Sequence, residues 1–258
     1  MDISNYKAVI LAGGKGTRLY PITKEIPKPL LPVKRKPILN YLIDLFYSYG
    51  IKEIAILIDK DFREDFKWWE KRYYLSTGSG QVPKIKLVEE EKPLGTFGGL
   101  WLLRNWLKNN QFFLTNGDEI KEINLEKMAD FHQRVKTPAT VALVKVKNPE
   151  DYGVAICEKG IVQEFLEKPS PSEVLRSKIW EGKKSTTKYI NAGLYLLSPE
   201  IFDYHPGLKF SMIEKDILPK LAKEKKLAGF KFNGKWLDCG TWQRYEAALR
   251  EKNLKFFS

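Results

Sequence analysis

Cysteine and long apolar stretches are scarce in this chain of 258 residues. Its two cysteines, Cys157 and Cys239, cannot build a disulfide framework, and neither has the CxxC or Cys/His spacing of a zinc site. No apolar run approaches the roughly 18 residues of a membrane span, and the amino terminus MDISNYK does not resemble a secretory signal. These absences argue against membrane and disulfide-rich secreted proteins. We therefore expect a cytoplasmic protein with no membrane partner, in which oxygen atoms bind any metal.

The net charge of +12 raises the alternative of a nucleic-acid binder. Basic residues are, however, interleaved with acidic ones along nearly every segment, as in KDFREDFKWWEKR, and no RRM, KH, zinc-finger or basic-helix pattern is present. We expect a solvated basic surface that attracts small anionic substrates, and no nucleic-acid partner.

Alternating apolar runs and helical periodicities predict an α/β fold. Buried strands are expected at Ala8 to Leu11, Ile54 to Ile58, Ile85 to Val88 and Phe112 to Thr115, with helices at 37–50, 62–75, 100–107 and 125–135. This order predicts a Rossmann-like, doubly wound, mostly parallel but mixed sheet with helices on both faces. Beyond residue 146, short strands and a helix around Glu173 to Glu181 predict a smaller β-rich subregion. A helix is also expected from Gln243 to Leu254.

A glycine-rich and proline-rich stretch, Ala12 to Pro37, follows the first predicted strand. Gly13, Gly14 and Gly16 would let backbone N–H groups face one phosphate, although a turn without a phosphate role is a common alternative. Five prolines predict a stiff, extended loop in which Lys28 is flanked by Pro27 and Pro29. The stretch fits neither a Walker A loop nor GxGxxG.

Two further features suggest a ligand, each with a plainer alternative. The cluster Gly95, Gly98 and Gly99 indicates that something approaches the start of a helix closely, and helix packing would explain it equally well. Asp118 follows the strand FFLT, where a carboxylate beside a phosphate site suits Mg²⁺. An Asx turn is the alternative, but Asn116-Gly117 already supplies a turn.

The run AGGKGTRLYPIT followed by PKPLLPV resembles the signature of nucleotidyltransferases that couple a nucleoside triphosphate (NTP) to a sugar 1-phosphate. The motifs DYGV, EKP, INAG and WLDCGT extend this resemblance over essentially the whole chain. KPLGTFGG and SMIEKDILPKLAKE are most similar to mannose-1-phosphate guanylyltransferases. No hexapeptide-repeat tail is seen, so a trailing β-helix domain is not expected.

The resemblance implies one nucleotidyltransferase domain over 1–258, with a nucleotide-binding half at about 1–139 and a sugar-phosphate-binding half at about 140–258. It implies catalytic roles for Arg18, Lys28 and Asp118, and an Mg²⁺ ion held by Asp118 and Asp238. The implied nucleotide-binding residues are Leu11, Ala12, Gly13, Gly14, Gly16, Thr17, Glu90, Gly95 and Thr96, with Glu91 as the alternative to Glu90. The implied sugar-phosphate-binding residues are Tyr152, Gly153, Glu167, Lys168 and Asn191.

The resemblance implies transfer of NMP from an NTP to a sugar 1-phosphate, with release of pyrophosphate. GTP and mannose 1-phosphate are the expected pair, and UTP or dTTP with glucose 1-phosphate is the alternative. A non-catalytic nucleotide-sugar-binding paralogue is a second alternative, but it would be expected to lose Arg18, Lys28, Asp118 or Asp238, and all four are present. A homo-oligomer is left open.

Overall fold

A nine-stranded mixed sheet forms the centre of the fold in the computed structural model, which describes residues 1–75, 83–146, 149–170, 172–173, 188–252 and 254. Its strands lie in the order β5-β4-β1-β6-β11-β8-β12-β10-β9, and two short two-stranded sheets pair β2 with β3 and β7 with β13. The strands are β1 Lys7–Leu11, β2 Pro32–Val33, β3 Lys36–Pro37, β4 Glu53–Asp59, β5 Lys84–Glu90, β6 Phe112–Asn116, β7 Glu119–Lys121, β8 Ala139–Val146, β9 Gly153–Glu158, β10 Ile161–Glu167, β11 Lys188–Leu197, β12 Leu227–Lys231 and β13 Trp236–Asp238.

Helices cover both faces of the large sheet. In the described ranges they are α1 Ile38–Ser48, α2 Arg63–Glu70, α3 Gly95–Gly98, α4 Arg104–Leu107, α5 Leu125–Val135, α6 Leu218–Lys223 and α7 Trp242–Arg250. Local signals set their ends: Pro37 precedes α1, the Asn124 side chain accepts from Lys127 N at 2.7 Å, and the Thr241 side chain caps α7. None of the helices in these ranges is long and apolar enough to cross a membrane.

Strand direction defines two regions of the sheet. β5, β4, β1 and β6 are parallel, as expected of a doubly wound fold, whereas β11 lies antiparallel to β6 and introduces the mixed region. The predicted fold class is confirmed. Because β1 is central, alternate residues enter different cores: Ala8 and Ile10 pack with α1 and α5, and Val9 packs against the opposite layer.

Local predictions failed where tertiary contacts override sequence periodicity. The proline-rich stretch is not a simple extended loop, because it contains 3₁₀ turns at Thr17–Leu19, Ile22–Lys24 and Lys28–Leu30. Proline φ is compatible with the first position of such turns, which explains the difference.

Two predicted helices also differ from the structure. The helix at 100–107 is divided into a 3₁₀ segment, Gly99–Leu103, and α4. The carboxy-terminal helix ends at Arg250 rather than at Leu254. Most of the helix expected around Glu173 to Glu181 lies outside the described residues.

Candidate active site

A polar cleft of about 310 Å³ lies at the carboxyl ends of β1 and β6, where a doubly wound sheet binds its ligands. Residues from both predicted halves of the chain line it. The lining residues are Leu11, Ala12, Gly14, Arg18, Lys28, Pro29, Thr96, Asn116, Asp118, Glu119, Asp151, Tyr152, Gly153, Glu167, Lys168, Asn191, Gly193, Met212, Glu214, Asp238 and Arg244.

The glycine loop forms one wall of this cleft. Gly16 has a φ of +61°, a left-handed conformation that favours glycine, and its carbonyl accepts a hydrogen bond from Thr23 Oγ1 at 2.8 Å. Leu19 and Leu31, which follow this turn in the chain, are buried with Tyr245 of α7 in a small apolar cluster. That cluster fixes the loop against the carboxy-terminal helix, so Arg18 and Lys28 project from an ordered segment.

Lys28 and Asp118 form an ion pair at the base of the cleft. Lys28 Nζ lies 2.5 Å from Asp118 Oδ2, and the lysine is only 9% exposed. Burial alone would raise the pKa of Asp118, but the nearby ammonium of Lys28, with smaller contributions from Lys121 and Arg18, holds that pKa below its ordinary value. Asp118 is therefore an ionised carboxylate with a cation already beside it.

The two-stranded sheet of β7 and β13 brings Asp118 and Asp238 together. Asp238 lies opposite Glu119 in this register, and Cys239 N donates to Asp118 O at 3.0 Å. The predicted metal ligands are thus neighbours in space although 120 positions separate 118 from 238 in the chain.

Asp238 is held by three donors. Arg244 Nη1 lies 2.7 Å from its Oδ2, Tyr152 Oη donates to the same oxygen at 3.2 Å, and Gly240 N donates to Oδ1 at 2.6 Å. A Cβ placed on Gly240 would stand 3.1 Å from Arg18 Nη2, so the Arg18 guanidinium also lies at this corner.

The residues present fit a divalent cation in part. Within the described ranges, no group of three or more acidic, histidine or cysteine side chains is arranged to hold a metal ion. Two carboxylates on adjacent strands supply hard oxygen donors of the type that Mg²⁺ prefers, and Mg²⁺ commonly completes its shell with substrate phosphates and water. This donor set suits an ion shared with a phosphate ligand better than a closed protein site.

A buried polar network supports this corner from below. Glu119 accepts hydrogen bonds from Asn116 Nδ2 at 3.0 Å and Trp236 Nε1 at 2.8 Å, and it pairs with Lys121 at 3.0 Å. Burial raises the pKa of Glu119 to about 7; Lys121 opposes this rise, and the neighbouring carboxylates of Asp118 and Asp238 add to it by smaller amounts. Lys121 also donates to Thr115 Oγ1, which fixes the end of β6.

A bulge in β11 presents Asn191 to the opposite wall. The pairing of β11 with β8 is interrupted between Asn191 and Tyr195, as expected where a strand redirects a side chain. Asn191 Nδ2 donates to Tyr195 Oη at 2.7 Å, and Asn191 Oδ1 accepts from Gly193 N at 2.9 Å.

Glu167, Lys168 and Glu214 form the acidic and basic part of that wall. Burial and the neighbouring Glu214 raise the pKa of Glu167 to about 7, and burial also raises the pKa of Glu214. Lys168 has a φ of +46°, which is unusual for a residue other than glycine and is found disproportionately at functional sites. Thr96 Oγ1 donates to Glu214 Oε2 at 2.5 Å and links this wall to the segment Gly95–Gly98.

Glu90 lies behind the glycine loop and does not line the cleft. It is 9% exposed, and its Oε1 has no hydrogen-bond partner. Burial, reinforced by Asp59, raises its pKa to about 7 although Leu94 N donates to the carboxylate. A Cβ on Gly13 would stand 2.6 Å from Glu90 Oε2, so the glycine leaves room for this carboxylate. Glu91, the alternative, is exposed and pairs with Lys60.

Gly95 has a structural reason for being glycine. Its φ is +79°, and a Cβ there would stand 2.4 Å from Ser211 O. Phe97 N and Gly98 N both donate to that carbonyl, at 2.9 Å and 3.1 Å, and Ser211 N donates to Leu94 O at 2.9 Å. Close packing of two segments, the plainer alternative, therefore explains this cluster.

The structure gathers most of the predicted site residues in one cleft and leaves a few outside. Gly13, Gly16, Thr17, Glu90 and Gly95 do not line it. Sequence reasoning missed four charged lining side chains: Glu119, Asp151, Glu214 and Arg244. Asp151 and Glu214 lie inside quoted motifs and Glu119 follows one, but no local pattern distinguishes Arg244 from the other basic residues on helix surfaces.

The cleft is lined by four cationic and six carboxylate side chains and lies at the carboxyl ends of parallel strands, which is where α/β proteins of this architecture bind their ligands. The sequence family described as Nucleotidyl transferase matches residues 7–253. The chain belongs to the nucleotidyl transferase family.

Similar proteins share this architecture. The probable mannose-1-phosphate guanylyltransferase 2 of Arabidopsis thaliana is 35% identical over 254 residues, which cover 95% of this chain and 64% of that protein. The chain thus spans less than two thirds of that relative. Among solved structures, a putative glucose-1-phosphate thymidylyltransferase of Bacillus anthracis, in complex with a sucrose, superimposes with a TM-score of 0.78 at 28% identity and covers 98% of both chains. HddC from Yersinia pseudotuberculosis, complexed with GMP-PN, gives 0.73 at 25% identity, with 95% and 98% covered.

Proposed function

We propose that this protein transfers NMP from an NTP to a sugar 1-phosphate and releases pyrophosphate. The observation that carries the proposal is the single cleft into which Arg18, Lys28 and Asp118 project from one wall and Glu167 and Lys168 from the other. In this reading residues at about 1–139 bind the nucleotide and those at about 140–258 bind the sugar phosphate. The two free cysteines fit a reducing compartment, and we infer a cytoplasmic location.

The reaction needs positioning and charge neutralisation rather than a protein nucleophile. An oxygen of the sugar phosphate attacks the α-phosphorus, a new P–O bond forms, and the bond from that phosphorus to the bridging oxygen breaks as pyrophosphate leaves. Arg18 and Lys28 neutralise the charge on the triphosphate and the leaving group, while Lys168 holds the attacking phosphate. Mg²⁺ held by Asp118 and Asp238 would add Lewis-acid stabilisation of the phosphate oxygens.

Glu90 lies behind the glycine loop rather than in the cleft lining, and we assign it to a guanine base bound at that loop. Its unpartnered buried oxygen is an acceptor that lacks a donor, and an unmade bond of this kind is costly. Guanine presents two neighbouring N–H donors, N1–H and the N2 amino group, to a carboxylate, whereas uracil and thymine present one N–H between two carbonyls. We infer GTP as the nucleotide. Mannose 1-phosphate follows from the similarity to guanylyltransferases that act on it.

A thymidylyl or uridylyl transfer to glucose 1-phosphate is the second candidate, supported by the likeness to a putative glucose-1-phosphate thymidylyltransferase. A regulatory paralogue without turnover is less well supported, since Arg18, Lys28, Asp118 and Asp238 all lie at the same cleft.

Pyrophosphate release from purified protein across four NTPs, each with mannose 1-phosphate and with glucose 1-phosphate, tests these alternatives. We expect the highest kcat/KM with GTP and mannose 1-phosphate. Glu90→Gln should reduce the preference for GTP over UTP by about tenfold or more, because one or two hydrogen bonds to the base change. Glu91→Gln is the adjacent control. No turnover with any pair would refute the enzymatic proposal, and a preference for dTTP or UTP would refute the assignment of the base.

A further inference from the structure

Arg244, in the first turn of α7, bridges two carboxylates at the edge of the cleft. Its Nη1 lies 2.7 Å from Asp238 Oδ2 and its Nη2 lies 2.5 Å from Asp151 Oδ2. The guanidinium also stacks over the Tyr152 ring, 4.6 Å from its centroid. The mechanism given above does not use this arginine, although it contacts one of the two carboxylates assigned to the metal.

The two carboxylates assigned to the metal, Asp118 and Asp238, are already paired with cations of the chain. Lys28 binds Asp118, Arg244 binds Asp238, and Arg18 lies at the same corner. A bare divalent cation approaching these residues finds Asp118 Oδ2 in contact with Lys28 and Asp238 Oδ2 in contact with Arg244, with Arg18 beside them. Its binding is therefore weak until some of those cations are engaged elsewhere.

Among the three hydrogen-bond donors to Asp238, Arg244 is the one that can release Asp238 and still keep a partner for its charge. Gly240 N belongs to the backbone, and Tyr152 is fixed by edge contact with Trp236 at 5.2 Å between ring centroids. Arg244 has a second partner in Asp151, whose side chain is 72% exposed and free to follow it. Release of Asp238 thus costs Arg244 one hydrogen bond and leaves its charge paired.

We propose that Arg244 is a positioning residue that occupies Asp238 until a metal-bound nucleotide enters, and then rests on Asp151. The protein would in this way bind its metal together with the triphosphate and only weakly alone. This inference rests on the proposed function insofar as it takes Asp238 as a metal ligand.

Binding of Mn²⁺, which is accepted by oxygen-ligand sites and visible by electron paramagnetic resonance, tests the proposal on the free protein. Without nucleotide, Arg244→Met should bind Mn²⁺ at least about tenfold more tightly than the unmodified protein, because an opposing charge is removed from the ligand. Arg244→Lys keeps the charge and should remain close to the unmodified protein. Arg250→Met, on an exposed turn of the same helix, should change nothing.

A second measurement determines Mn²⁺ binding with nucleotide bound. With a non-hydrolysable GTP analogue present, Arg244 has already left Asp238, so the difference between Arg244→Met and the unmodified protein should shrink to about twofold. Asp151→Asn removes the resting place of Arg244 and should weaken Mn²⁺ binding about threefold to tenfold in the presence of the analogue. This loop variant also keeps the test available if Arg244→Met folds poorly.

Weaker or unchanged Mn²⁺ binding by folded Arg244→Met would overturn the proposal, as would an unchanged response in Asp151→Asn. These outcomes are separate from failure of the proposed function, since the titrations without nucleotide need no turnover. If the unmodified protein turns over no NTP and sugar 1-phosphate pair while the variants behave as expected, the transferase assignment fails and the role of Arg244 at the metal site stands.

Discussion

Replacement of Glu90 by glutamine should change how the stability of the protein depends on pH. Glu90 is a buried carboxyl whose pKa is raised to about 7 from an ordinary 4.5. Below about pH 4.5 the group is protonated in folded and unfolded chains alike, and burial of its charge costs the fold nothing. Between about pH 4.5 and 7 the unfolded chain ionises it first, so the fold loses stability as the pH rises, and above about 7 the loss is complete.

The magnitude follows from the size of that shift. A raised pKa of this size corresponds to about 3 kcal/mol above pH 7 and to less than about 1 kcal/mol at pH 5. Solvent screening and relaxation around the ionised carboxylate reduce the effect, so we expect about 1 kcal/mol of difference between pH 5 and pH 8. Glutamine also buries an amide where Oε1 has no partner, but that penalty is the same at both pH values and cancels in the comparison.

Thermal or urea unfolding of both proteins at pH 5 and pH 8 measures this difference. Relative to the unmodified protein, Glu90→Gln should gain about 1 kcal/mol on going from pH 5 to pH 8, or about 2 to 4 °C in Tm. Glu91→Gln changes the same charge at an exposed neighbouring position and serves as the control. An identical shift in both variants, or a relative loss for Glu90→Gln at the higher pH, would refute the reasoning.

Three further outcomes are expected. Lys28→Ala should lower turnover at least about a hundredfold, and it should reduce the free energy of unfolding by about 1 to 2 kcal/mol because Asp118 loses its cation. Lys24→Ala, at an exposed position, is the control. Near-normal activity of a folded Lys28→Ala variant would contradict the role of Lys28. Lys168→Ala should raise the KM for the sugar phosphate more than the KM for the NTP. An equal rise in both KM values would contradict the assignment of Lys168 to the sugar phosphate. EDTA should abolish turnover, and Mg²⁺ or Mn²⁺ should restore it. Asp118→Asn and Asp238→Asn should each remove most of the activity. Turnover that is unaffected by EDTA would exclude a role for the metal.

The sequence predicted the parallel part of the fold well because buried strands carry uninterrupted apolar runs. Val9 and Ile10 in β1, and Phe113 and Leu114 in β6, are fully buried as those runs require. The broken helix at 99–107 could not be foreseen from periodicity. The backbone directly before it, at 94–98, is hydrogen-bonded to Ser211, which is more than a hundred residues away in the chain.

The site was predictable only where residue type and local spacing carry the signal. Asp118 follows an apolar strand and Lys28 lies between prolines, so both could be predicted as site residues. Arg244 is ordinary in its local context and acquires its place only when α7 packs beside β13 and Tyr152. The buried contact of Lys28 with Asp118 likewise carries no local signal, because the two residues are 90 positions apart in the chain.

The backbone hydrogen bonds between Leu94–Gly98 and Ser211 have a consequence for engineering this protein. They join the segment at 94–98 to the segment at 209–212 through backbone atoms alone, so they fix the separation of these two segments, from which Thr96 and Met212 line the cleft. Grafting the loop at 94–98 from a relative without its partner at 209–212 would place a new backbone against an unmatched one. An exchange of nucleotide specificity between relatives should therefore transfer both segments, 94–98 and 209–212, together.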